Sequence, residues 1–337
     1  MTSADFVMPA EWERHQRCWI AWPCRESLWG GPAGMEKARA AYAAVARAIA
    51  RFEPVTMIAR PEHKAEAQKA CGSGVSVQSH AIDDSWLRDT GPSFVRDAQG
   101  RLAGVAWRFN GWGGKYQPFD RDAAFAASLL QELGLPCLKA PLVAEGGALH
   151  VDGEGTLLTT RQCLLNPNRN PGVDQAGVEQ ILREFLGVRK IIWLQEGLSG
   201  DETDGHIDNA ACFAAPGKVI LQGCDDPADA NFRIAMENRS LLAGETDAAG
   251  RGFEIIQLPS PKPRLDAQGQ RLTLSYVNYY LANGGIVMPS FGDPADDRAR
   301  EILAGIFPGR PIVQAPALDI VAGGGGIHCI TQQMPEG

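Results

Sequence analysis

Val55-Thr56-Met57-Ile58-Ala59 is a short, mostly apolar run that reads as a buried strand. A charged stretch over residues 62–70 follows and reads as a helix, and Val75-Ser76-Val77 returns as a second strand. Four more stretches repeat that order. Gly104-Val105-Ala106-Trp107-Arg108-Phe109 opens the second, with a helix over about 120–133 and a strand over 137–142. Thr156-Leu157-Leu158-Thr159-Thr160 opens the third; its helix carries Val178, Ile181, Leu182 and Phe185 at helical spacing, and residues 190–194 close it. The fourth runs through 218–222, 228–242 and 253–257, and the fifth through 285–288, 297–307 and 311–315.

Alternating strands and helices also describe an ordinary α/β sheet. What favours five equal units around one axis is the position of the polar loops. The first unit is followed by Asp83-Asp84-Ser85-Trp86-Leu87-Arg88-Asp89, the second by Glu145-Gly146-Gly147 and the third by residues 201–208. After the fifth comes Gly323-Gly324-Gly325-Gly326-Ile327-His328-Cys329. Two of these echo one another, Gly146-Gly147-Ala148-Leu149-His150 and Gly325-Gly326-Ile327-His328-Cys329. Equivalent loops of a closed array would converge on one point.

Composition narrows the function. The chain has 337 residues, 45% hydrophobic and 21% charged, the balance of a globular protein in one large domain or two ordinary ones. No stretch approaches the roughly 20 apolar residues that cross a bilayer, and the first 30 residues lack a secretory layout, so a cytoplasmic protein without a membrane partner is expected. The net charge of -8 disfavours nucleic acid and favours a cationic ligand. Eight cysteines form no Cys-x-x-Cys pair and no set with zinc spacing, so neither a disulfide framework nor a metal is expected.

Two loops carry nucleophile chemistry. Cys329 follows four glycines, whose N–H groups can approach a thiolate or a developing negative charge; a buried structural cysteine is the alternative. A cysteine nucleophile needs a proton-transfer partner, and His206 is the candidate. His206 and Asp208 are two apart, so in an extended segment they share a face. Asp201, Glu202, Asp204 and Asp208 crowd four acids into eight residues, which repel unless a cation or solvent compensates. Asp89 and Glu145 are each open to a plainer reading, as a turn residue and a loop-capping carboxylate.

The motifs resemble the agmatine deiminase family, also called the bacterial-type peptidylarginine deiminase family. The likeness rests on Met8-Pro9-Ala10-Glu11-Trp12-Glu13, Asp84-Ser85-Trp86-Leu87-Arg88-Asp89-Thr90-Gly91-Pro92 and Asn110-Gly111-Trp112-Gly113-Gly114. It continues through Glu145-Gly146-Gly147, Asn166-Pro167-Asn168-Arg169-Asn170-Pro171, Gly205-His206-Ile207-Asp208-Asn209 and Ile327-His328-Cys329-Ile330-Thr331. The resemblance implies a five-bladed α/β propeller of ββαβ-type units, taking residues 1–337 as one catalytic domain.

It also implies roles. Cys329 is the nucleophile, His206 the general acid and base, and Glu145 the carboxylate that orients it. Asp89 and Asp208 grip a guanidinium, whose forked donors match carboxylates. The reaction implied is ammonia release from agmatine through a covalent thiouronium, with no metal or other cofactor. Trp86 is expected to cover the aliphatic chain and Glu202 to meet the terminal ammonium. Free or peptidyl arginine is the alternative substrate, an amidinotransferase the alternative enzyme, and a binding-only propeller the non-enzymatic reading. Homo-oligomers are common in the family. Three departures stand out: Gly326 where Asn often precedes Ile-His-Cys, Ala148 where a polar residue often follows the two glycines, and a short 113–119 loop.

Overall fold

The computed structural model describes residues 6–337, so the first five residues of the expected 1–337 domain lie outside it. The described residues form five small sheets of three or four strands in a mixed α/β fold. Each of the five stretches read as strand, helix and strand is such a unit, with ends displaced by a few residues at most. Val55–Ala59 and Val75–Ser79 pair in parallel across the helix Lys64–Cys71. Leu102–Arg108 and Cys137–Val143 pair across Asp120–Glu132, and Thr156–Thr160 and Lys190–Leu194 across Gln175–Leu186. The last two are Lys218–Gln222 with Glu254–Leu258 across Ala230–Ala243, and Gly285–Ser290 with Ile312–Pro316 across Ala295–Ile306. Parallel neighbours cannot be joined by a hairpin, so a helix in each connection is required. Val55–Ala59 and Thr156–Thr160 are buried at every position, as strands covered on both faces must be.

Each sheet has a further strand that the sequence pattern did not disclose. Ser93–Asp97, His150–Val151, Ala211–Ala215 and Tyr280–Ala282 each run antiparallel to the opening strand of their unit. In the remaining sheet that place next to Val55–Ala59 belongs to His15–Ala21, which runs parallel to it, and Thr331–Pro335 adds outside it, antiparallel. The C-terminal strand therefore seals a sheet begun near the N-terminus. A tight turn or bend stands immediately before each of these five strands. Leu87–Thr90, Gly146–Ala148, Ile207–Ala210, residues 275–279 and residues 327–330 are these segments, and they hold the side chains described below.

The 18-residue helix Pro32–Ile49 also escaped the strand–helix–strand reading. It starts with Pro, which lacks only an N–H that would be unbonded there anyway. Met35, Ala38, Tyr42, Val45, Ala46 and Ile49 recur at helical spacing and are buried in the largest apolar cluster, with Met57, Val287 and Ile330. Among the described residues, no helix is long and apolar enough to cross a membrane.

The terminal strand gives a test of how the chain is sealed. Removing residues 331–337 exposes the edge of His15–Ala21 and opens the cluster under Ile330. The shortened chain is expected to lose a cooperative urea transition by far-UV circular dichroism. A midpoint equal to that of the full chain would contradict this account.

Candidate active site

The turns before the strands bring Asp89, Glu145, His206, Asp208 and Cys329 together, and all five are buried. His206 stands between two acids, its Nδ1 3.8 Å from Asp89 Oδ1 and its Nε2 3.6 Å from Glu145 Oε2. Cys329 Sγ lies 3.4 Å from Asp208 Oδ2. The expectation that His206 and Asp208 share a strand face is corrected here. Asp208 is the second residue of the short turn Ile207–Ala210 and His206 caps it, so a tight bend places both at the site. Gly205, at φ +85°, allows the bend.

Gly147 is the pivot of the cluster. A Cβ on it would lie 2.5 Å from His206 Nδ1, 2.9 Å from Asp89 Oδ1 and 3.1 Å from Asp208 Oδ2. Its backbone N–H donates to Asp89 Oδ1 at 3.0 Å. Only a glycine leaves these three polar groups room to face one another.

Charge is balanced residue by residue. Arg169, fully buried, donates from Nε to Glu145 Oε1 at 2.7 Å and from Nη2 to the carbonyl of Thr203 at 2.9 Å. Burial pushes the Glu145 carboxyl up, but His206 and Arg169 outweigh it and hold it below its ordinary range. Burial pulls His206 down, while Asp89, Cys163 and Glu145 raise it well above an ordinary histidine. The two flanking carboxylates favour the protonated imidazole. Cys163 Sγ stands 3.9 Å from Glu145 Oε2, so a thiol, an imidazole and a carboxylate cluster closely. Arg169 already supplies the cation beside that carboxylate.

On the other flank, Asp208 Oδ2 meets His328 Nδ1 at 2.9 Å, and His328 Nε2 meets Glu11 Oε1 at 2.8 Å. Arg88 Nη1 donates to the same Glu11 oxygen at 3.2 Å. Burial opposes ionisation of Asp208, but His328 keeps the carboxyl below its ordinary range. Asp89 has no such cation besides His206, and burial, with Asp208 and Glu145 nearby, pushes it up to about 6. Burial and the same two aspartates, 208 and 89, push the Cys329 thiol well above its ordinary value. Among the described residues, both nitrogens of His206 and Oδ1 of Asp208 are buried without a hydrogen-bond partner. Such groups are costly unless something polar completes them.

A pocket opens onto Cys329 and Asp89, lined also by Leu28, Asp84, Trp86, Trp112, Tyr116, Glu202, Thr203 and Gly323 to Gly325. Its lining holds three acids and no lysine, arginine or histidine. Trp86 is held by Trp29, stacked at 6.0 Å, and by the edge of Tyr42 at 6.3 Å. Glu202 is exposed at the mouth, where it accepts a hydrogen bond from the Tyr116 hydroxyl. Trp112 packs edge-on against Tyr116 and donates Nε1–H to Asp89 Oδ2 at 2.8 Å. The short 113–119 loop thus supplies one wall. Ala148 is buried in an apolar cluster with Leu142 and Cys163, which accounts for an apolar residue there.

Sequence reading assigned no role to Glu11, Trp112, Tyr116, Cys163, Arg169, Asn278 or His328, and Arg88, open to reading as an ion-pair partner of Asp89, pairs with Glu11 instead. Glu11, Trp112 and Arg169 did lie in the motifs that carried the family likeness. Asn278 had no such signal, because residues 272–279 around it carry no charge.

This arrangement suits attack by sulfur on a flat cation held between two carboxylates. Comparison with known proteins points the same way. The chain belongs to the Porphyromonas-type peptidyl-arginine deiminase family, whose profile matches residues 7–335. It is 45% identical over 353 aligned residues to the agmatine deiminase of Pseudomonas aeruginosa (strain LESB58), covering 98% of this chain and 95% of that one. The agmatine deiminase of Enterococcus faecalis superposes with a TM-score of 0.95 at 34% identity, over 99% and 98% of the two chains. A cysteine-to-serine variant of C. jejuni agmatine deiminase with substrate bound gives 0.91 at 28% identity, over 98% and 97%.

Replacing Arg169 by Met leaves Glu145 buried without its cation. Breaking a buried pair from one side costs about 3–5 kcal/mol, and urea denaturation should register a loss of that size. A change below about 0.5 kcal/mol, the range of ordinary surface substitutions, would contradict the pairing.

Proposed function

We propose that the chain is an agmatine deiminase, hydrolysing agmatine to N-carbamoylputrescine and ammonia, with Cys329 as nucleophile. The observation that carries the reading is a pocket walled by Asp84, Asp89 and Glu202, with a thiol at its floor and no basic residue in its lining. Agmatine is a dication with no carboxylate. Arginine would bring a carboxylate to a mouth whose nearby cations are already engaged, Lys115 by the Glu202 carbonyl and Asp204, and Arg25 by Asp84. The five sheets, read as blades of one propeller working as a single catalytic domain, explain why the five pre-strand turns converge.

In this reading Asp89 and Asp208 grip the guanidinium through their carboxylates and keep it charged and electrophilic. Its positive charge offsets the two acids that hold the Cys329 proton in place, so binding itself favours release of that proton to solvent and leaves the thiolate. Sulfur attacks the central carbon, forming a C–S bond. Protonated His206 gives its proton to the departing nitrogen, the C–N bond breaks, and ammonia leaves a thiouronium on Cys329. His206, now neutral, accepts a proton from water as oxygen adds to the same carbon. The C–S bond then breaks, sulfur leaves as thiolate, and the ureido product is released as the added oxygen gives up its remaining proton to solvent. One imidazole serves as acid and then base. Glu145 and Arg169 hold its orientation and charge. Trp86, Trp112 and Tyr116 flank the four-carbon chain, and Glu202 faces the ammonium.

A panel of agmatine, arginine, methylarginines and a blocked arginyl peptide, scored for ammonia without added amine, tests the assignment. An uncompensated carboxylate among acids should lower kcat/KM for arginine about 100-fold or more. Equal or better use of arginine would overturn the substrate. Turnover that needs an added amine would mean an amidinotransferase. Cys329→Ala is expected to abolish ammonia release with the fold intact.

Glu202→Gln removes an exposed charge worth about 1 kcal/mol, so KM for agmatine should rise roughly fivefold with kcat little changed. An unchanged KM would remove Glu202 from the ammonium site. For Asp89, raised to about 6, the ionised gripping form is lost as pH falls. Agmatine should therefore bind Cys329→Ala protein more weakly below pH 6, by calorimetry. Affinity that stays flat from pH 7 to 5 would exclude Asp89 as a gripping acid.

A further inference from the structure

Asn278 lies in the bend before Tyr280–Ala282, the one pre-strand segment without a charged group at the candidate site. It is buried against the catalytic cluster. Its Oδ1 accepts the backbone N–H of His328 at 2.8 Å. A backbone N–H can only donate, so this contact fixes which end of the amide faces which way. The NH₂ end is thereby turned toward Cys329 Sγ, 3.2 Å away. It also reaches Asn209 Oδ1 at 3.0 Å and the carbonyl of Asp208 at 3.3 Å.

The surroundings make this contact consequential. Asp208 stands 3.4 Å from the sulfur and Asp89 lines the same pocket, so the side-chain charges beside Cys329 are mainly negative. Against them the sulfur has a neutral donor, the Asn278 amide. A neutral donor favours the thiolate without adding a positive charge that would repel a cationic substrate. Gly326 fits the same picture. A Cβ there would overlap Asn278 Oδ1, so glycine leaves the amide its place. The hydrogen-bonding side chain missing at 326 is supplied from 278.

We propose that Asn278 is a further catalytic residue, donating to the Cys329 sulfur a hydrogen bond that strengthens as the thiolate forms and again as sulfur leaves the thiouronium. This rests on Cys329 being the nucleophile. The bond moves no atoms between molecules; it stabilises the charge that resides on sulfur before attack and after C–S cleavage.

The test compares Asn278→Ala and Asn278→Asp with the unsubstituted enzyme. Two profiles are measured: the pH dependence of Cys329 alkylation by a haloacetamidine, and that of kcat/KM for agmatine. Labelling of Cys329→Ala protein is subtracted to remove the other seven thiols. Asn278→Ala should move the alkylation profile to higher pH and slow labelling at neutral pH about 10- to 100-fold. kcat/KM should fall by a similar factor while KM changes little. Asn278→Asp keeps the acceptor for His328 but adds a negative charge beside sulfur, so its profile should move further. It also keeps the test decisive if the alanine variant does not fold. Profiles that coincide with the unsubstituted enzyme, or activity lost only through a lower melting temperature, would overturn the proposal. Ammonia release by Cys329→Ala would instead overturn the nucleophile assignment, and the two failures are distinguishable.

Discussion

Buried negative charge is the constraint on which the site depends. Glu11, Asp89, Glu145 and Asp208 are buried within one cluster, where unpaired carboxylates are costly. Three are matched: Glu145 by Arg169, Asp208 by His328, and Glu11 by Arg88 and His328. Asp89 has only an imidazole at 3.8 Å, a tryptophan N–H and a backbone N–H. Asp89 is the one of the four without a close cation, and in the proposed reaction the substrate supplies it. Recognition and activation then have one cause, because the same cation that fills the gap also weakens the hold of two acids on the Cys329 proton.

The fold serves that balance by repetition. Each helix-linked parallel pair carries a further strand, or in two sheets two, and each sheet has one strand preceded by a short, buried turn or bend. Asp89, Gly147, Asp208, Asn278 and Cys329 come from five such segments in five sheets. Side chains on short turns anchored at both ends lose little freedom when substrate binds, which is the form of preorganisation that positioning requires. Gly147 shows how tight the arrangement is, since one methyl would meet three of the polar groups at once.

The five strand–helix–strand units were legible because each is a local pattern of apolar runs and helical spacing. Of the antiparallel strands, His150–Val151 and Tyr280–Ala282 were not, because they span only two and three residues, too short for any period to emerge. His206 and Asp208 were placed correctly in the cluster for a reason that does not hold, a shared strand face, when a turn brings them there. Charged or nucleophilic residues in glycine-rich loops announced themselves. Arg169 and His328 matter through long-range pairing with Glu145 and Asp208, which no spacing in the chain reveals. Asn278 was hidden by being neutral.

Mass spectrometry of enzyme mixed with agmatine and quenched in acid within milliseconds tests the central claim most directly. The account predicts that the peptide bearing residue 329 gains the mass of agmatine less ammonia, and that this adduct decays as ureido product accumulates. Ammonia release with no such adduct, or with the adduct on another of the eight cysteines, would contradict it.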